Sequence, residues 1–105
     1  MSYSFRTAET DDDFQQIRRL NHQIFSEELG QHAVRPDGLL ADPFEARSRY
    51  LIALHHDLVA GMVGVHDDPP WSVTKRLADP AILDAMPPPL LEVRLLALAP
   101  EHRTR

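Results

Sequence analysis

A chain of 105 residues, 43% hydrophobic and 26% charged, has room for one domain and the composition to give it a core. Its formal net charge of −5 argues against non-specific nucleic-acid binding, because a phosphate backbone rewards excess Lys and Arg. The absence of cysteine excludes a disulfide framework, a thiolate nucleophile and a thiolate zinc site. No apolar run nears the length of a membrane span and no charged-then-apolar leader opens the sequence, so the expectation is a cytoplasmic protein without a membrane partner.

Residues 2–7 alternate as a first strand, with Tyr3, Phe5 and Thr7 on one side and Ser4 and Arg6 on the other. Thr10 then reads as a helix N-cap with Asp13 three residues on, and the run Asp11-Asp12-Asp13 suits the positive end of a helix dipole. The spacing of Phe14, Ile17, Leu20, Ile24 and Phe25 predicts an amphipathic helix from about Asp11 to Leu29, stopped at Gly30. Asn21 lies beside that stripe and is either a local backbone partner or a substrate contact.

Residues 31–49 form a polar connection with turn signals at Pro36-Asp37-Gly38 and Asp42-Pro43. Asp42 is placed to cap a short helix that starts at Pro43, and Phe44 with Leu39-Leu40 pins the connection to the body. A connection this long in a small domain is either a binding loop or a packed surface excursion. A hairpin follows: strand 50–54, turn His55-His56-Asp57, return strand 58–65. Gly61 and Gly64 in the return strand mark a bulge or a close backbone approach. Neighbouring strand residues point to opposite faces and no third His lies at ligand spacing, so the His pair reads as turn residues and no metal site is expected.

Residues 67–89 hold six of the nine prolines, a short helix from about Ala78 to Met86, and the only tryptophan, Trp71. A tryptophan so framed is either a hydrophobic plug or the wall of an apolar ligand pocket. The sequence ends on LLEVRLLALAPEHRTR, residues 90–105. Strand alternation puts Val93, Leu95 and Ala97 on one face and Glu92, Arg94, Leu96 and Leu98 on the other, until Pro100 ends the ladder.

This last stretch resembles the start of the acyl-CoA-binding motif of the GNAT superfamily of N-acyltransferases, E-x-x-x-x-x-V-x-P-x-x-R-x-x-G-x-G/A. Glu92, Leu98, Pro100 and Arg103 stand in the motif's order, while its glycines would come after Arg105. The order strand, helix, long connection, two strands, insertion, strand matches the front half of that fold. The runs FSEELGQ and DGLLADPFEARSRYLIAL, followed by a proline-rich segment, are similar to acyl-homoserine-lactone synthases and N-acyl amino acid synthases, which use long acyl chains, often from acyl carrier protein. The serine those relatives carry between the strand Glu and Arg is Val93 here, and their tryptophan after the first helix is replaced by Gln31.

The resemblance implies a mixed α and β (α+β) fold over residues 1–105, with a mostly antiparallel central sheet, flanking helices and a missing C-terminal half. It implies transfer of an acyl group from acetyl-CoA, another acyl-CoA or an acyl-carrier-protein thioester to a small-molecule amine. The amine must attack in its neutral form and the thioester oxygen becomes negative, so a base and donors are needed. Glu92 is the candidate catalytic base, with a raised pKa among leucines if unpaired; the competing reading makes it a structural partner of Arg94. Arg103, Thr104 and Arg105 would lead the pyrophosphate loop, and the backbone of Leu96 and Leu98 would bind the pantetheine arm. Candidate substrate-binding residues are Trp71, Arg94 and Phe25. A different class of reading is a non-catalytic module that binds a partner or an acyl ligand. The Leu-rich last strand, left as an edge, also predicts association, a homodimer included.

Overall fold

In a computed structural model the described residues are 2–103, and they form an α+β domain with a four-stranded antiparallel sheet and two helices. The strands β1 (Ser4–Thr7), β2 (Arg49–His55), β3 (Leu58–His66) and β4 (Glu92–Leu98) lie side by side in chain order. The helix α1 (Asp11–Asn21) joins β1 to β2 across one face, and α2 (Ile82–Ala85) is a single turn between β3 and β4.

The start of α1 follows from its residues. Thr10 Oγ1 accepts from Asp13 N at 3.0 Å while Asp13 Oδ2 accepts from Thr10 N at 3.1 Å, a reciprocal cap. Arg6 of β1 adds a two-pronged bond to the same carboxylate, at 2.6 and 2.8 Å. The stripe Ile17, Leu20 and Ile24 is buried against Tyr50, Ile52, Leu54, Met62 and Ala97, which gives the domain its core. The expected single helix to Leu29 instead changes pitch: His22–Glu28 is π-helical, closed by Leu29 N on Ile24 O at 2.9 Å. Gly30, at φ +65°, supplies the left-handed residue that ends it.

The hairpin turn His56-Asp57 has positive φ at both positions, 51° and 62°, as a two-residue turn between twisted strands requires. Gly64 lets the Tyr50 ring lie on β3, where a Cβ would come within 2.9 Å of Tyr50 Cε1. Gly61 makes the same allowance for Leu98.

One bulge changes the alternation read from the sequence. Gly64 pairs with Leu95 and Val65 with Val93, so Arg94 is the extra residue on β4. In consequence Glu92, Arg94, Leu95 and Ala97 turn toward the helix side, and Val93, Leu96 and Leu98 turn away. The sequence reading had split Arg94 from Leu95 and Ala97, because strict period-two alternation has no place for an extra residue. The outward face is apolar and uncovered: Phe5 is 68% exposed, Leu51 49%, Leu96 72% and Leu98 47%.

Candidate functional site

A cavity of about 840 Å³ opens on the helix side of β4. Its walls come from three places: Asn21 and Phe25 of the first helix, residues 40–44 of the long connection, and Ser72, Lys75 and Arg76 of the segment after β3. Arg94 and Leu95 of β4 form the floor, and Leu96 borders it although its side chain lies on the outward face. The polar connection is therefore a wall, and it is tied to α1 by its backbone. Leu40 N donates to Arg18 O at 3.0 Å, and Asn21 Nδ2 donates to Leu40 O at 3.3 Å.

Arg94 enters the cavity because of the bulge. Its guanidinium pairs with Asp42, whose other oxygen accepts from Phe44 N at 3.0 Å. It also lies 4.7 Å from the centre of the Phe44 ring. Arg94 Nε and Asn21 Oδ1 are buried without a hydrogen-bond partner among the described residues. A buried donor and a buried acceptor left open at one cavity cost free energy unless a ligand or water meets them. Lys75 and Arg76, on the 3₁₀ segment Ser72–Arg76, have no ion-pair partner among the described residues and place free positive charge at the rim.

Glu92 points to the same side as Arg94 without pairing with it. Its Oε1 lies 2.6 Å from His66 Nε2 and accepts from Ser72 N at 2.8 Å. Its Oε2 accepts from Ser72 Oγ at 2.9 Å and Val73 N at 3.0 Å. Burial pushes the carboxyl up, but the bonds from Ser72 N, His66, Ser72 Oγ and Val73 N outweigh it and leave the pKa at about 2. The condition for a raised pKa, an unpaired carboxylate, is not met, and neither is the alternative of an Arg94 partner. Such a group takes up a proton near neutral pH only if those bonds are first given up.

His66, fully buried, was missed from the sequence. Its Nδ1 donates to Asp68 O at 3.0 Å, and its ring packs in tilted contact with Phe44 at 5.1 Å and Trp71 at 5.2 Å. Trp71 thus packs on His66 as a plug and does not line the cavity, whereas Phe25 does. Of the residues assigned to cofactor, Leu96 and Leu98 both turn to the outward face, and Leu96 alone borders the cavity. Arg103 holds Glu28 with two bonds of 2.8 Å and donates to Leu98 O at 3.1 Å. Thr104 and Arg105 lie outside the described residues.

At the far end of the sheet, the fold brings a third histidine to the turn pair that spacing alone could not supply. His102 packs 5.1 Å from His55, which is 4.1 Å from His56, and Tyr3 Oη meets His102 Nδ1 at 3.0 Å. Among the described residues no group of three or more His, Cys, Asp or Glu is arranged to hold a metal ion. No helix among them is long and apolar enough to cross a membrane. Compared with protein-family models, curated proteins and solved structures, the chain matches none.

Proposed function

We propose that this chain carries the acyl- and amine-binding end of an N-acyltransferase of the GNAT type, using an acyl-CoA or acyl-carrier-protein thioester. One observation carries the reading. A single cavity joins apolar walls at Phe25, Leu40, Phe44 and Leu95 to a free cationic rim at Lys75 and Arg76, with an open acceptor and an open donor between them. The apolar walls suit an acyl chain, and the rim suits the phosphate of a pantetheine carrier. Asn21 Oδ1 is a partner for an amine hydrogen, and Arg94 Nε for an oxygen that gains charge as the amine attacks. The element order β1, α1, β2, β3, β4 supports the same reading. In it Glu92 maintains a cavity wall rather than removing the amine's proton.

The saturated Glu92 carboxylate specifically favours a second reading, in which the same cavity holds an acyl ligand without turnover. One experiment separates the two. The chain is titrated with octanoyl-CoA by calorimetry and then incubated with octanoyl-CoA and a mixture of amino acids and polyamines, with products read by mass spectrometry. Acylated amine, reduced roughly 10²-fold in Arg94→Met, supports the transferase. Binding without product supports the ligand module. Neither binding nor product overturns both.

A further inference from the structure

The 25 residues between β3 and β4 run outside the sheet, yet three of them, Ser72, Lys75 and Arg76, form one wall of the cavity. What holds that wall in place is narrow. Arg47 Nη1 donates to Pro69 O at 3.0 Å, and Arg49 reaches Asp67 at 3.4 Å across two exposed side chains. His66 Nδ1 donates to Asp68 O at the root of the segment. Among the described residues every other polar tie between residues 67–77 and the sheet converges on one carboxylate, that of Glu92. Ser72 N and Val73 N open the 3₁₀ turn and have no earlier carbonyl within it to bond, so Glu92 satisfies donors that the turn itself leaves open. It does so from the first residue of β4, two positions before Arg94 in the cavity floor.

We propose that residues 67–77 are a hinged wall of the cavity, latched shut by the Glu92 carboxylate, and that Glu92 is the positioning residue that decides how wide the cavity stands. The proposal rests on the reading of this cavity as the ligand site. The latch has the right character for a device that opens and closes. Its three bonds to the wall share one acceptor group, so one displacement of that group releases them together. The wall it releases carries the two free cations of the rim, so opening moves the charge that an anionic carrier meets. The chain also carries its own reporter, because Trp71, the only tryptophan, lies next to Ser72 and packs against His66.

Glu92→Gln keeps the shape but turns an NH₂ group toward donors that need an acceptor. With the sheet intact by far-UV circular dichroism, acrylamide quenching of Trp71 is expected to rise several-fold. Trypsin cleavage after Lys75 and Arg76 is expected to accelerate relative to cleavage after Arg18. Ser72→Ala, which removes one of the wall's three donors to Glu92, is expected to fall between wild type and Glu92→Gln in both measurements, and it decides the matter if Glu92→Gln does not fold. Unchanged quenching and cleavage in the folded variants overturn the latch. Octanoyl-CoA titration of the same proteins tests the ligand reading separately. A wild-type chain that fails to bind octanoyl-CoA, with quenching altered in the variants, leaves the hinged wall standing and removes the proposed function.

Discussion

Two carboxylates anchor this molecule, Asp13 buried and Glu92 half-buried, and they differ in how far they reach. Asp13 accepts from Arg6, Glu9 N and Thr10 N, none more than seven residues away, and it locks the start of α1 onto β1. The Arg6 guanidinium, with the Glu9 and Thr10 amides, holds its carboxyl well below the usual range against the pull of burial. Glu92 accepts as many bonds from His66, Ser72 and Val73, at separations of 19 to 26 residues. The chemistry at the two carboxylates is the same. The local anchor fixes a helix that also has a core to hold it, while the distant one fixes a wall that otherwise rests on the Trp71–His66 contact and a few polar ties at its root. An acceptor for helix-start donors is thus a rigid joint or a hinge according to what surrounds it.

Acid removes both anchors and so has the largest expected effect. Both folded-state values lie below the unfolded ones, so the stability these groups contribute is present above the unfolded values and is lost as pH falls through the folded ones. For Glu92 that window runs from about pH 4.5 down to about pH 2; for Asp13 it opens lower and extends further into acid. On acid titration the Trp71 emission is therefore expected to change before the helical circular dichroism. Simultaneous loss of the two signals would show that the wall and the helix are one cooperative unit.

Asp13→Asn comes next. The side chain is 3% exposed, and the change leaves an amide group where Arg6 and two backbone N–H groups donate. A loss of about 3 kcal/mol in urea unfolding is expected, larger than for Glu92→Gln, because the core rather than a wall is undermined. The smallest effect is expected for Glu28→Gln. Its partner Arg103 is as exposed as it is, and such surface pairs are screened and entropically costly to hold. The unfolding midpoint is expected to stay within error of wild type; a clear drop would make the 3₁₀ turn Pro100–His102, which leads into Arg103, part of the core.

What was legible in the sequence was what neighbours decide. The cap at Thr10 and Asp13, the stripe from Ile17 to Ile24, the hairpin and the close approaches at Gly61 and Gly64 all follow from local spacing. The site was half legible. Glu92 and Arg94 stood out as charges in an apolar strand, but their partners, His66 with Ser72 and Asp42, are 20 or more residues away and no spacing points to them. The π-helical turn at His22–Glu28 also escaped, since a helical stripe has nearly the same look at either pitch over seven residues. His66 carried no signal beyond being polar at the end of an apolar strand.

The bulge at Arg94 has a mechanical consequence. It lets two residues, Glu92 and Arg94, both face the cavity side, one gripping the segment at residues 72–73 and the other gripping Asp42 of the long connection. Those two segments are some thirty residues apart in the chain, yet both are fastened to a piece of strand only three residues long. The strand therefore works as a short gear rack with a loop meshed to each tooth. Deleting Arg94 is expected to remove the extra residue and the grip on Asp42 while Val93 stays opposite Val65 and Glu92 opposite His66, so the two loops come free one at a time.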